Sequence, residues 1–288
     1  MTNALRTFSK KVDAEIAAPL REVAVGRQLV AVTPAADFGI TSVDWATLTE
    51  MSEAMVTYNF SDGNQDTVDF TITNSKVPIF WKDYKLDRRL MMAMAKAGSN
   101  VDVDAALSAA YRVQSGENTA IIQGISLDGS TYKVNGLYQG AGNDYSTTKD
   151  FGTYGNAIAA VGGALALIAA DGGPAYSIPY NLTLNPTQYA ELLVSESTSG
   201  VSEYERVKAV LKNGGIFSST AITAGNGLLS PASAQGKPFV DYYLTQDIIT
   251  EHGEDSKHPD TGPIYGRVFT AGVLRIKQPN ALAKLSAI

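Results

Sequence analysis

The side chains best suited to chemistry are two histidines, His252 and His258, which share one stretch with Glu251, Glu254, Asp255 and Asp260. Imidazole nitrogens and carboxylate oxygens are the ligand types that hold zinc and other divalent ions. The histidines stand six residues apart, whereas ligands aligned on one helix face stand about three or four apart. Gly253 and Pro259 place them in a loop, where the same composition also describes a solvated acidic surface. A metal-dependent enzyme using this loop is therefore an alternative class, and no metal site is assigned. Other constellations fail on position. A phosphate loop ending in Gly236-Lys237 needs glycine where Pro231 stands and serine or threonine where Pro238 stands. Gly140-Ala141-Gly142 has Tyr145 in place of the third glycine of a dinucleotide fingerprint. Gly124-Ile125-Ser126-Leu127-Asp128 lacks the second glycine of a nucleophile elbow. The absence of cysteine excludes thiolate nucleophiles, thiolate metal sites and disulfides. The reading is of a protein with no catalytic residues and no cofactor.

The 288 residues carry 23 basic and 29 acidic side chains, a net charge of −6, with 44% hydrophobic and only 18% charged residues. Low charge leaves a surface short of the groups that keep monomers apart, and so points to contacts between chains. The first 35 residues are studded with charges and contain no continuous apolar segment, so a soluble, unexported product is expected. The longest uncharged stretch, 157–170, falls short of the roughly 18 residues that cross a bilayer, and reads as a buried helix. No membrane partner is expected. Gly162-Gly163 within it would admit a close neighbour, either another backbone or ordinary small-residue packing.

Residues 1–36 form an arm in which Arg6, Lys10, Lys11, Arg21 and Arg27 outweigh Asp13, Glu15 and Glu22 by +2. Arg6, Lys10 and Lys11 face something anionic inside a particle, or belong to a solvated surface helix. Strand character follows at 29–32. Residues 54–73 read as a β-hairpin: Val56, Tyr58 and Phe60 alternate with polar residues, 61–64 supplies a turn, and Val68, Phe70 and Ile72 resume the alternation. A lone two-stranded hairpin is marginal, so its apolar face must dock on the chain's own core or on a neighbouring subunit. The lack of an adjoining third strand pattern favours the neighbour. A strand at 77–81 precedes a helical pattern of Leu86, Leu90 and Met94; a second helix, capped by Asp102 or Asp104, runs to Gly124. Collinear, the two would make a rod on the order of 50 Å. From 151 the pattern is α/β or α+β: helices at 157–170, after Asn185-Pro186 and at 202–211; strands at 176–184, 216–221, near Leu228 and at 239–244. Strands at 248–251 and 265–276 then face each other across a polar loop.

This order of parts resembles the major capsid proteins of tailed viruses, the fold named after phage Hong Kong 97, and the encapsulins that share it. Residues 77–89 (VPIFWKDYKLDRR) are similar to the family's strand leading into the spine helix. Val103-Asp104-Ala105-Ala106 through Glu117-Asn118-Thr119-Ala120-Ile121-Ile122-Gln123-Gly124 resembles the helix that ends near a glycine, and Val134-Asn135-Gly136-Leu137 the short element after it. Gln246-Asp247-Ile248 and 274–282 (LRIKQPNAL) resemble the closing strands of encapsulins. The resemblance implies an α+β fold with an arm at 1–36, a lead-in and extended loop at 37–78, a peripheral domain with its spine helix at 79–150, an axial domain at 151–245, and C-terminal strands at 246–288 returning to the peripheral domain. It further implies a homo-oligomer of pentamers, or pentamers and hexamers, in an icosahedral shell. The preferred expectation is a virion capsid enclosing double-stranded DNA without sequence specificity; the alternative is a cytoplasmic nanocompartment enclosing a cargo enzyme. Some relatives carry a Lys–Asn crosslink, and none is expected here.

Overall fold

The structure, a computed structural model, describes residues 24–35, 37–48, 67–89, 101–127, 132–197, 200–254 and 263–288, with single positions at 51, 54, 56, 58 and 92. The described elements begin with α1 (Gly26–Leu29), β1 (Ala31–Pro34), β2 (Ser42–Leu48), β3 (Phe70–Lys76), β4 (Ile79–Leu86) and α2 (Val101–Ile122). Next come β5 (Gly124–Leu127), β6 (Tyr132–Asn135), β7 (Asn143–Ser146), α3 (Asn156–Ala170), β8 (Tyr180–Leu184), α4 (Pro186–Val194) and α5 (Glu203–Val210). The chain closes with β9 (Ile216–Ser218), β10 (Asn226–Pro231), α6 (Ser233–Gly236), β11 (Val240–Glu254), β12 (Ile264–Ile276) and β13 (Ala283–Ser286). Among the described residues no helix is long and apolar enough to cross a membrane.

The described residues fall into two compact units, one of Ile79–Gly116 and Asp247–Thr270, the other of Ala24–Pro78, Glu117–Gln246 and Ala271–Ile288. The divide passes within α2, β11 and β12, not at the expected boundary after residue 150. Residues 117–150 go with the second unit because β7 pairs in parallel with the C-terminal β13.

In the first unit β4 lies beside β12, and β12 beside β11. Phe80 and Tyr84 on β4, Val268 on β12 and Ile248 on β11 pack against Ala109 and Val113 of α2. Leu86, expected to open a helix, is instead the buried last residue of β4. Its four-residue spacing to Leu90 is a multiple of two, so it fits a strand as well as a helix. Much of that expected first helix, including Leu90 and Met94, lies outside the described residues; the second runs from Val101 to Ile122, about 33 Å at 1.5 Å per residue. On the outer face of β4 the Arg267 guanidinium grips Asp83 at 2.6 and 2.9 Å and lies 5.0 Å from the Trp81 ring. It holds the Asp83 carboxyl below the usual carboxylate range. Exposed on both sides, the pair is screened by water and adds little stability.

The second unit is built on a five-stranded sheet in the order β7-β13-β10-β8-β9. Every residue of β8 is buried, as a strand covered on both faces requires. The strand is shorter than the expected 176–184, because Tyr176 is left-handed (φ 61°) and Pro179 precedes the first ladder residue. Against the sheet lies α3, with Ala157, Ala160, Val161, Ala164, Leu165 and Ile168 buried. Gly163 admits a close neighbour, which is the Tyr145 ring and not a backbone. Asn185 caps α4 by accepting from Thr187 N, and Pro186 fills the first helical turn. The separate strands expected at 239–244 and 248–251 are one strand, β11. Leu29 and Val30, expected in a strand, close the single turn of α1 before β1 begins.

One buried carboxylate ties this unit around α2. Glu117, 1% exposed, accepts from Arg27 Nε and Nη2 at 3.0 Å each and from Tyr242 Oη at 2.7 Å. Its neighbour Asn118 accepts from Gly26 N at 2.7 Å. Removing one partner of a buried ion strands the other, at a cost of several kcal/mol. Arg27→Met should therefore lower unfolding free energy by about 2–3 kcal/mol in equilibrium denaturation. Arg267→Met, which removes the exposed pair, should cost far less.

Candidate inter-subunit surface

Strands β2 and β3 form a two-stranded antiparallel ribbon whose register runs from Ser42 opposite Lys76 to Leu48 opposite Phe70. Opposed residues share a face, and alternate pairs change face. Val43, Trp45 and Thr47 form one face, with Val43 buried against Val134 and Val273. The ladder is extended at its root by Val77 N donating to Thr41 O. The opposite face presents Asp44, Ala46, Phe70, Ile72 and Asn74, all exposed, with Phe70 and Ile72 each 70% exposed. The Asn74 amide donates to Asp44 Oδ1 across the strands.

The second arm of the expected hairpin is thus a strand paired with 42–48; of the first arm, 54–60, only positions 54, 56 and 58 are described. Alternation identifies a strand without identifying what it pairs with, and the root anchored by Val43 fixes the register. Ser42-Val43-Asp44-Trp45-Ala46-Thr47 alternates as cleanly as 54–60 and was the signal for this missed strand. Of the six expected face residues, Val56 and Tyr58 are almost fully exposed and lie outside any strand, Val68 is half-buried, and Phe70 and Ile72 share the ribbon's outer face. Phe60 and the turn at 61–64 lie outside the described residues, as do Arg6, Lys10 and Lys11 of the arm. The side chains of His252 and His258 lie outside them too. Among the described residues no group of three or more His, Asp or Glu is placed to hold a metal ion.

Two cavities adjoin the ribbon within the second unit. One, of about 290 Å³, is lined by Trp45, Thr73, Lys133 and Ile276; the Trp45 Nε1 is buried without a hydrogen-bond partner among the described residues. A larger groove of about 530 Å³ is lined by Ala46, Asp171, Gly173, Lys277 and Asn280. Its ammonium is already engaged, since Lys277 Nζ pairs with Asp241 Oδ1 at 3.3 Å and donates to Lys237 O at 3.1 Å.

The buried acids serve the fold. Fully buried Asp241 accepts from Arg275 Nε at 3.0 Å and Nη2, and from Thr33 Oγ1 at 3.0 Å. Fully buried Glu203 accepts from Gly155 N and Ile158 N at 3.0 Å and from Ser195 Oγ at 2.9 Å, capping α3 from another helix. Glu191 is less well served: burial, and then the nearby Asp150, push its carboxyl above the usual range, and its Oε2 lacks a partner. Burial likewise raises the Tyr180 phenol, whose Oη is also unpartnered.

The ribbon's outer face thus exposes Phe70 and Ile72 between Asp44 and Asn74, while the buried carboxylates of Glu117, Asp241 and Glu203 are committed to internal ties. The chain is 27% identical over 218 residues to the diheme-cytochrome-encapsulin shell fusion protein of Kuenenia stuttgartiensis, covering 73% of this chain and 54% of that protein. It therefore spans about half the length of that relative. It is 25% identical over 271 residues to the type 1 encapsulin shell protein EncA of Myxococcus xanthus, covering 92% of this chain and 87% of that one. In structure it matches the capsid of Myoviridae phage XM1 with a TM-score of 0.75 over 96% of both chains at 11% identity, which establishes the α+β Hong Kong 97-type fold. The model of the Linocin_M18 family, encapsulating protein for peroxidase, matches residues 5–258, and the chain belongs to that family of shell-forming proteins.

Proposed function

We propose that the chain is the shell subunit of an encapsulin nanocompartment that encloses a cargo enzyme. The observation that carries this is the sequence match to encapsulating proteins along most of the chain. Likeness to phage capsids, at 11% identity in the case above, speaks to the fold alone. This reverses the preference drawn from the order of elements, because that order is common to both kinds of shell. The cargo is expected to be a peroxidase or another redox protein, by analogy with the names of the family and of the fusion relative. The subunit acts as wall and not as catalyst, and the shell is proposed to be icosahedral.

Assembly is proposed to use the ribbon's outer face. Phe70 and Ile72 stand 70% exposed on a two-stranded element that is marginal alone. Burying such a side chain against a neighbour is worth roughly 1.5–3 kcal/mol, gained once per subunit in a closed shell. Phe70→Asp should leave folded monomers or small oligomers by size-exclusion chromatography and negative-stain microscopy. Intact shells from that variant would refute docking through this face.

The contents decide between the two kinds of shell. Particles purified from the native host should contain a co-purifying enzyme, identified by mass spectrometry, and no nuclease-protected genome. Protected double-stranded DNA of defined length would establish the viral reading instead.

A further inference from the structure

A second exposed apolar patch lies far from the ribbon in sequence, at the corner joining α4 to α5. Leu193, Val194 and Val201 are 47%, 80% and 46% exposed there. The two flanks of the corner are tied to each other: Ser195 Oγ donates to Glu203, Glu203 N donates to Ser195 O at 3.0 Å, and Glu196 is bridged to Ser202. Charge is distributed with a polarity. Exposed Glu196 sits at the N-terminal end of α5, Lys208 in its last turn, and exposed Lys212 just beyond its C-terminal end. None of the three forms an ion pair among the described residues. Eight helical residues separate the two ends by about 12 Å.

We propose that these two ends meet between copies of this chain, the apolar, acidic corner of one subunit docking head to tail on the Lys208–Lys212 end of the next. A ring closed by rotation requires heterologous contacts, in which each subunit presents two different, complementary patches. The two patches flank α5: Leu193, Val194, Glu196 and Val201 precede it, and Lys208 and Lys212 lie in its last turn and just beyond. Val194 and Leu193 supply buried area, while the opposite charges at the rim fix register and reject wrong orientations. The contact rests on the shell reading above. It is distinct from the ribbon, whose outer face carries Phe70 and Ile72.

Acids at a helix N-terminus and lysines at its C-terminus also complement the helix dipole, so the test must separate the two roles. Glu196→Lys and Lys212→Glu should each lower the yield of closed particles about tenfold at low salt. Combined, they should restore it to within about twofold of the parent, because the swapped charges meet across the interface. Val194→Asp should abolish closure whatever the salt. If the charges served only the dipole, the double variant would be less stable than either single one, and particle yield would follow thermal stability; that result overturns the proposal. Should either reversal fail to fold by circular dichroism, Glu196→Gln and Lys212→Gln must each still reduce assembly, and parental yields from both would equally overturn it. A parent chain that forms no closed particles would defeat the shell reading itself, whereas parent shells with indifferent variants defeat only this contact.

Discussion

A single carboxylate withdrawn from water sets the terms for the structure around the C-terminal end of α2. Glu117 can lie 1% exposed only because both its oxygens are occupied, by the Arg27 guanidinium and the Tyr242 hydroxyl. Burying an ion without such partners costs several kcal/mol, so every element that supplies one is constrained in turn. Residue 26 is glycine where α1 meets the helix, and a Cβ there would press on Asn118 and Ile121. Residue 272 is glycine because the Tyr242 ring passes over it on the way to Glu117. Through these contacts one charge fixes the lie of α1 and of the start of β11 against the last turns of α2, residues 117–122.

The same device recurs. Asp241 gathers Thr33, Arg275 and Lys277; Glu203 gathers residues 155, 158 and 195. In each case a buried acid joins segments apart in sequence, and removing one partner would strand the other. It also bears on the surface. Charged residues are only 18% of the chain, and among the described residues three acids, Glu117, Glu203 and Asp241, are turned inward. What remains outside leaves the ribbon face and the α4–α5 corner uncovered. Sparse surface charge leaves apolar area available to neighbours.

Features governed by local rules were legible in the sequence. The run at 157–170, the Asn185-Pro186 start and the helix at 202–211 all name their own structure, because periodicity and capping act within one turn. Pairing is a long-range property and did not show. Nothing in Val68, Phe70 and Ile72 distinguishes 42–48 from 54–60 as the partner strand, since both alternate with the same period. Leu86 was ambiguous for a related reason: a spacing of four serves strand and helix alike. Glu203 gave no hint of burial, because an acid at the first position of a helix is normally a solvated complement to the dipole. The exposed corner was signalled only weakly, by Leu192, Leu193 and Val194 in succession, of which a helix can bury one while its neighbours face away.

The absence of a catalytic constellation in the sequence and the modest size of each apolar patch belong to the same logic. A subunit seized at one patch meets its next neighbour at an effective concentration set by geometry, so later contacts form intramolecularly. Individual contacts can then remain weak while a closed assembly is stable, and a contact made in the wrong orientation dissociates before it is reinforced. Strong, sticky surfaces would trap errors. Small apolar faces flanked by directional charge suit reversible closure better, and they need no residue whose purpose is chemistry. On the proposed contacts, Phe70, Ile72 and Val194 would supply the buried area between subunits, and Glu196 and Lys212, which form no ion pair among the described residues, would set its register.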